Sequence, residues 1–138
     1  MSNSFDLNQL NHVLRSIYGK APVHSQLQTL RGDASTRRYY RLLFSMEPQE
    51  APSTRIVMQF ASPSAASDEI TSGPKSENHH FLDVQALLRE RGLPVPLVYF
   101  ADLTTGMVLL EDLGDQTLEA YLQTVPNAQW EGVYKDVV

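Results

Sequence analysis

The sequence predicts an α+β fold in which a small antiparallel sheet packs against helices. Short apolar or aromatic runs bounded by Gly, Pro and Ser alternate with longer segments whose apolar residues recur at helical spacing. The order along the chain is helix, hairpin, strand, helix, extended segment and strand, which is typical of an antiparallel sheet with helices laid against it. No internal repeat or heptad pattern interrupts this order.

The start of the chain predicts one helix and one hairpin. Asp6 can cap a helix that runs to about Tyr18, and Gly19 ends it. Residues 25–30 and 39–45 predict two strands that flank a glycine-containing turn, which makes a β-hairpin.

The middle of the chain predicts a buried strand and a second helix, separated by a loop. RIVMQFA, residues 55–61, is a nearly continuous apolar run with turn residues on both sides. Residues 62–74 are rich in Ser, Ala and Gly, which predicts a mobile loop. The helix that follows begins at Ser76 or Asn78 and runs to about Arg91. Its predicted core face comprises Phe81, Val84, Leu87 and Leu88.

Two further sheet segments complete the predicted domain. Residues 93–100 form an extended segment that Pro94 and Pro96 stiffen. A turn at 103–106 leads into the apolar strand 107–111, MVLLE.

The last segment contains an apolar helix that has no following element to cover it. A short helix begins near Thr117, and Pro126 and Asn127 start another. An amphipathic helix with nothing to pack against is marginal in water, so we expect this chain to be the first part of a longer protein. The alternatives are that the helix folds back on the same domain or pairs with another copy. The apolar face of this helix comprises Trp130, Val133, Tyr134, Val137 and Val138.

Composition and charge limit the classes of function. The chain has 138 residues, enough for one domain with a modest core. Its formal net charge is -5, which argues against general binding to nucleic acid or to anionic membranes. It has no cysteine, which excludes disulfides and thiolate metal sites. The N-terminus lacks the pattern of a signal peptide, and we expect a cytoplasmic protein.

The predicted hairpin turn combines small residues with positive charge. In RGDASTRRYYRL, residues 31–42, a glycine turn is followed by three arginines. A small turn exposes backbone N–H groups that can wrap phosphate oxygens, and arginine adds planar charged donors. The stretch could therefore lie over the phosphates of a nucleotide. It could also be a tight surface hairpin whose arginines pair with nearby acids, and the turn alone favours this second interpretation.

The strand MVLLE continues into an acidic connector, DLGD. Backbone groups at the end of such a strand can bind the edge of adenine, while Leu109 or Leu113 covers the ring. An ordinary buried strand followed by a glycine turn is the simpler interpretation of this stretch in isolation. If the connector binds a base, we expect Asp112 and Asp115 to be a helix N-cap and a linker acid rather than paired catalytic carboxylates.

Four stretches taken together resemble the aminoglycoside phosphotransferase family, which is protein-kinase-like. They are GDASTRRYYRL, RIVMQFASP, FLDVQALLRERGLPVPLVYFAD and GMVLLEDLGDQTLEAYL. The likeness is strongest to the branch of anomeric kinases for cell-wall amino sugars, and it extends to about Leu122. It implies a kinase-like N-terminal nucleotide-binding lobe at 1–110, a hinge at 111–116, and the start of a second helical lobe at 117–138.

The resemblance implies transfer of the γ-phosphoryl group of ATP to a sugar hydroxyl with the help of Mg²⁺. It places Met58 near the base, and Glu111 and Leu113 in the hinge that holds adenine. The residues implied to lie over the phosphates are Gly32, Asp33, Ala34 and Ser35.

Two departures from the family pattern are visible in the residues. Kinase-like folds usually carry a lysine in the third strand, and IVMQF has none, so our hypothesis is that Arg38 or Arg41 supplies the missing charge. The chain also contains no His-x-Asp followed by Asn and no later metal-binding aspartate. We therefore expect the magnesium ligands in a missing C-terminal lobe, and we predict no catalytic residue and no phosphotransferase activity for this segment alone.

Two classes of function follow. The first is the ATP-binding lobe of an amino-sugar kinase of peptidoglycan recycling, whose partners are a nucleotide and, through the missing lobe, a small sugar. The second is a non-catalytic kinase lobe or a partner-binding module that uses the final helix, which could also drive self-association. No metal site is predicted, because His79 and His80 are adjacent on a helix and point in different directions.

Overall fold

The computed structural model describes residues 6–31, 37–60 and 77–137. Within these ranges the chain forms four α-helices, one 3-10 turn and a five-stranded antiparallel sheet, so the prediction of mixed helix and antiparallel sheet is confirmed. The elements are α1 Leu7–Tyr18, β1 His24–Thr29, β2 Arg38–Ser45, β3 Ser53–Gln59, α2 Glu77–Glu90, β4 Val98–Asp102, β5 Met107–Glu111, α3 Leu118–Leu122, the 3-10 turn Asn127–Gln129 and α4 Trp130–Val137.

The first helix begins and ends at the predicted residues. The side chain of Asp6 accepts a hydrogen bond from the backbone N–H of Asn8 at 2.9 Å, which satisfies one donor of the first turn. Gly19 adopts a left-handed conformation with φ of 80°, and its N–H donates to the carbonyl of Arg15. One face of α1 is buried, comprising Leu10, Val13 and Leu14.

The strands lie in the order β1-β2-β3-β5-β4, and each neighbouring pair is antiparallel. The predicted hairpin is confirmed, since β1 pairs with β2 from Thr29 opposite Tyr40 onward. The central strands are in register, with Tyr40 opposite Val57 and Val57 opposite Leu109. Residues 32–36 of the turn and the predicted loop 62–74 lie outside the described residues.

The sheet has two apolar faces because side chains alternate along each strand. The first face packs against α1, and the second packs against α2. The buried residues of the first face are Tyr40, Leu42, Phe44, Val57, Met107 and Leu109, and those of the second are Met58, Phe60, Val108 and Leu110.

The predicted core face of α2 is wrong in part. Phe81 packs against the second face together with Leu82, which the sequence pattern did not single out. Val84 and Leu87 are 53% and 49% exposed. The reason is that only the first part of α2 contacts the sheet, while Gln85 Nε2 donates to the carbonyl of Pro96 at 2.8 Å. The helix is described from Glu77, so Asn78 lies within it, and Ser76 falls outside the described residues.

The two C-terminal helices pack on each other through one tryptophan. The indole N–H of Trp130 lies 3.1 Å from the carbonyl of Leu122 and 3.3 Å from that of Val125, so α4 folds back on α3. Tyr134 and Val137 remain 48% and 61% exposed, which leaves part of the predicted apolar face open, and Val138 lies outside the described residues. Among the described helices, none has the length and hydrophobicity that a bilayer span requires.

Candidate nucleotide site

The strand register places the residue that follows the predicted turn, Arg38, and the predicted connector at opposite ends of the sheet strands. At the turn end, Arg38 lies opposite Gln59, and Gln59 opposite Met107. At the other end, Arg55 lies opposite Glu111, from which the connector, residues 112–115, departs. The two ends are separated by roughly 13 Å along β5, the length of four strand residues. A ligand that contacts both must therefore lie lengthwise along the strands.

Two rows of side chains cross the second face of the sheet. The row nearer the connector contains Arg41, Ile56 and Leu110, and the next row contains Tyr39, Met58 and Val108. Met58 has no exposed surface, because Phe60, Val108 and Phe81 belong to the same packed cluster. Ile56 is only partly buried, and it is the apolar β3 side chain of this face that lies closest to the connector.

The connector begins at a residue fixed on both its backbone and its side chain. The Glu111 N–H donates to the carbonyl of Leu97 at 2.8 Å, and its carboxylate accepts from the Leu97 N–H at 3.0 Å. Two residues later, the side chain of Leu113 is 68% exposed. An exposed apolar side chain next to the backbone of the connector is the kind of surface against which a planar base can pack.

Arg41 joins the connector to β2 through two carboxylates. Its Nε and Nη2 donate to Asp112 at 2.7 and 3.2 Å, and its Nη2 and Nη1 donate to Asp115 at 2.9 and 3.2 Å. We call Arg41, Asp112 and Asp115 the connector clasp. A local turn supports it, since Asp112 also accepts from the Gly114 N–H at 2.9 Å, and Gly114 has a φ of 85° that favours glycine.

Burial divides the two carboxylates of the clasp. The side chain of Asp112 is 6% exposed, whereas that of Asp115 is 82% exposed. Hydrogen bonding from Arg41 lowers the pKa of Asp112 from 3.8 to about 2, although burial acts in the opposite direction. The same contacts raise the pKa of Arg41, with Asp112 contributing most. Arg41 thus follows the interpretation in which the arginines of the hairpin pair with nearby acids.

The expectation that Asp112 or Asp115 caps a helix is wrong. The N-cap of α3 is Thr117, whose hydroxyl accepts a hydrogen bond from the Ala120 N–H at 3.1 Å. Both aspartates instead bind Arg41, a contact between residues 71 and 74 positions apart that local sequence patterns do not reveal.

The other arginines of the hairpin lie at the turn end. Arg38 is exposed, and alternation along β2 puts it on the first face with Tyr40. Arg37 extends over the second face, with its guanidinium carbon 5.2 Å from the ring centroid of Phe60 and 5.7 Å from that of Phe81. Sequence reasoning noted Arg37 only as part of a cationic cluster. The signal that could have placed Arg37 on the second face is its spacing: it lies two residues before Tyr39, and side chains two apart in a strand lie on the same face.

The described residues do not offer a magnesium site. No group of three or more His, Asp or Glu side chains among them could hold a metal ion. The two neighbouring carboxylates of the connector are already occupied by Arg41.

A cavity of about 520 Å³ lies between α2 and the segment before β4. Its lining is mainly apolar, and Arg37 and His80 supply polar groups. It adjoins the second face through Phe81, at the turn end of the sheet.

Of the predicted site residues, the structure brings Arg41 to the connector that contains Leu113, and it places Met58 one row away on the same face. Arg38 lies at the far end of the strands. Gly32, Asp33, Ala34 and Ser35 lie outside the described residues, so their position over phosphates stays a prediction.

Comparison with known proteins gives one distant likeness to a sugar kinase. The chain is 31% identical over 132 residues to an N-acetylmuramate/N-acetylglucosamine kinase of Pseudomonas putida. The match covers 94% of this chain and 32% of that relative, so the chain spans about a third of the relative's length. No family model matches the chain, and no solved structure matches it. The likeness suggests a kinase-like phosphotransferase.

Proposed function

We propose that this chain is the N-terminal ATP-binding lobe of a phosphotransferase that acts on a sugar hydroxyl. The observation that carries the proposal is the 31% identity to an amino-sugar kinase over 94% of the chain. The antiparallel sheet, in which an acidic connector follows β5, is compatible with a kinase-like lobe. The relative is named for phosphorylation of N-acetylmuramate and N-acetylglucosamine, so the proposed acceptor is an amino sugar of the cell wall.

In this proposal the nucleotide lies along the second face, with its base at the connector. The backbone carbonyl of Glu111 and the backbone N–H of Leu113 would bind the edge of adenine, and Ile56 would contact its ring. The partial burial of Ile56 and the exposure of Leu113 support this placement. The phosphates would then point toward the predicted turn that contains Gly32 and Ser35, because Arg38, where β2 begins after that turn, lies at the other end of the strands.

The proposal needs a cation near the phosphates, since β3 has Met58 where a lysine is usual. Arg38 lies at the turn end but on the first face, and Arg41 lies on the second face but at the connector end with two carboxylate partners, so neither is well placed for phosphates at the turn end of the second face. Arg37 is a further candidate, because it lies over the second face beside Phe60. Magnesium ligands would come from residues outside those described.

A partner-binding module remains the second candidate function. The exposed side chains of α3 and α4, among them Tyr134 and Val137, favour it because they leave an apolar surface open. A module of this kind would have no preference for ATP over unrelated anions, whereas a nucleotide-binding lobe would.

Binding of Mg-ATP to the 138-residue chain, measured by isothermal titration calorimetry, tests the proposal. We expect weak but saturable binding that Ile56→Ala reduces severalfold, because the base loses a ring contact. Leu27→Ala is the matched control, since Leu27 is a partly buried aliphatic residue that packs on the first face. Absence of binding in the wild-type chain, or equal losses in the two variants, would contradict the proposed function.

A further inference from the structure

The connector clasp fixes the chain on both sides of one exposed residue. Asp112 is held by Arg41 and by the Gly114 N–H, and Asp115 is held by the other edge of the same guanidinium. A guanidinium is planar, so its two edges set the distance and angle between the carboxylates that bind them. Leu113 lies between the fixed residues, and the direction of its backbone N–H and carbonyl is set with them.

Arg41 is poorly placed to bind the phosphates of a nucleotide that reaches the predicted turn. It lies in the row nearest the connector, with Ile56 and Leu110 beside it across the strands. Its Nε, Nη1 and Nη2 all donate to carboxylates already, and the two carboxylates neutralise its charge. A phosphate would have to displace either Asp112, whose side chain is 6% exposed, or Asp115, which accepts two hydrogen bonds from Nη1 and Nη2.

We propose that Arg41 is a positioning residue, which acts through Asp112 and Asp115 to hold the Leu113 backbone ready for the base of a bound nucleotide. This inference rests on the proposed function, since it requires a base at the connector. Holding a binding segment in its bound conformation raises affinity, because less conformational freedom is lost when the ligand arrives. The clasp should therefore affect recognition of the base and leave contacts to the phosphates unchanged.

Two variants separate positioning from folding. Asp115→Asn removes one charge of the clasp at a side chain that is 82% exposed, so the fold and the melting temperature should change little. Arg41→Lys keeps the positive charge but loses the planar fork that contacts both carboxylates. Arg15→Gln, at an exposed arginine in the last turn of α1, is the control for removal of a surface charge.

The experiment compares Mg-ATP with inorganic tripolyphosphate as ligands of the 138-residue chain. Calorimetry should give roughly five- to tenfold weaker ATP binding for Asp115→Asn and for Arg41→Lys, and no change for Arg15→Gln. Tripolyphosphate binding should be the same in all four proteins, because it has no base. Amide hydrogen exchange of Leu113 and Gly114 should be faster in both clasp variants, which a contact made only with phosphate would not produce.

Each other result has a distinct meaning. If the wild-type chain binds ATP and both clasp variants bind it equally well, the positioning role is wrong while the proposed function stands. Equal losses of ATP and tripolyphosphate binding in Arg41→Lys would assign Arg41 to the phosphates and also overturn the inference. If the wild-type chain does not bind ATP, the proposed function fails, and the inference fails with it even where hydrogen exchange responds.

Discussion

The charge of Arg41 is shared between two carboxylates that differ mainly in their exposure to water. Asp112 is 6% exposed and Asp115 is 82% exposed, although both accept two hydrogen bonds from the same guanidinium. An ion pair in water is screened and contributes little to stability, whereas a shielded pair leaves an uncompensated charge when one partner is removed. The two aspartates should therefore respond differently to the same substitution.

Asp112→Asn should destabilise the chain by about 1–3 kcal/mol, and Asp115→Asn by less than about 0.5 kcal/mol. Asparagine at 112 keeps an acceptor for the Gly114 N–H, so the difference reports mainly the lost charge beside Arg41. Urea denaturation of the two variants measures it. Equal free energies of unfolding for both variants would show that the buried Asp112 contributes no more to stability than the exposed Asp115.

Asp112 should also make the stability of the chain depend on pH in the acid range. Its pKa is lowered from 3.8 to about 2 in the folded chain, so the folded state binds a proton less readily than the unfolded state. The stabilisation is complete above the unfolded pKa and is lost as the pH falls toward about 2. The loss amounts to at most about 2 kcal/mol. Unfolding should be measured between about pH 5 and about pH 2, a range that spans the unfolded and folded pKa values of Asp112. Over this range the free energy of unfolding should fall less in Asp112→Asn than in the wild type.

At the scale of elements, local signals predict what local interactions stabilise. The bounds of α1 follow from Asp6 and Gly19, and the apolar run before Glu111 marks β5, because caps and strand patterns are encoded by neighbouring residues. The face of α2 was predicted less well, since it depends on where the helix leaves the sheet and on the bond from Gln85 to Pro96. The partners of Arg41 lie more than 70 positions away, beyond any periodic pattern.

The turn between β4 and β5 depends on a glycine that is both left-handed and crowded. Gly106 has a φ of 74°, and an added Cβ would lie 3.3 Å from Gln59 Nε2 and 3.4 Å from the Cβ of Phe60. Gln59 Nε2 donates to the carbonyl of Thr105 at 2.8 Å, so it cannot move away without losing that bond. The absence of a side chain at Gly106 therefore lets the turn pack closely against the end of β3.

Gly106→Ala should cost about 2 kcal/mol of stability, which combines backbone strain with the disturbed Gln59 contact. Gly92→Ala is the matched control, because Gly92 has a φ of 76° and no atom within 4 Å of an added Cβ. It should cost about 1 kcal/mol from strain alone. Thermal denaturation compares the two, and equal losses would mean that the contact with Gln59 contributes nothing.

At the scale of the whole molecule, the sheet order decides where a ligand could bind. The sequence order of the elements predicted an antiparallel sheet with helices, but not that α1 and α2 cover opposite faces. That arrangement depends on contacts between residues far apart in the chain, which a single sequence does not specify. It leaves Ile56 partly buried at the connector end of the second face, whereas the first face carries the buried stripe of α1.

The most direct test of this account is methyl and amide NMR of the chain during titration with Mg-ATP. The account predicts shifts at the Ile56 methyls and at the Leu113 amide, with none at Leu10 and Leu14, which are buried between α1 and the first face. Saturable shifts confined to α3 and α4, or to the first face, would contradict it, as would a spectrum that ATP leaves unchanged.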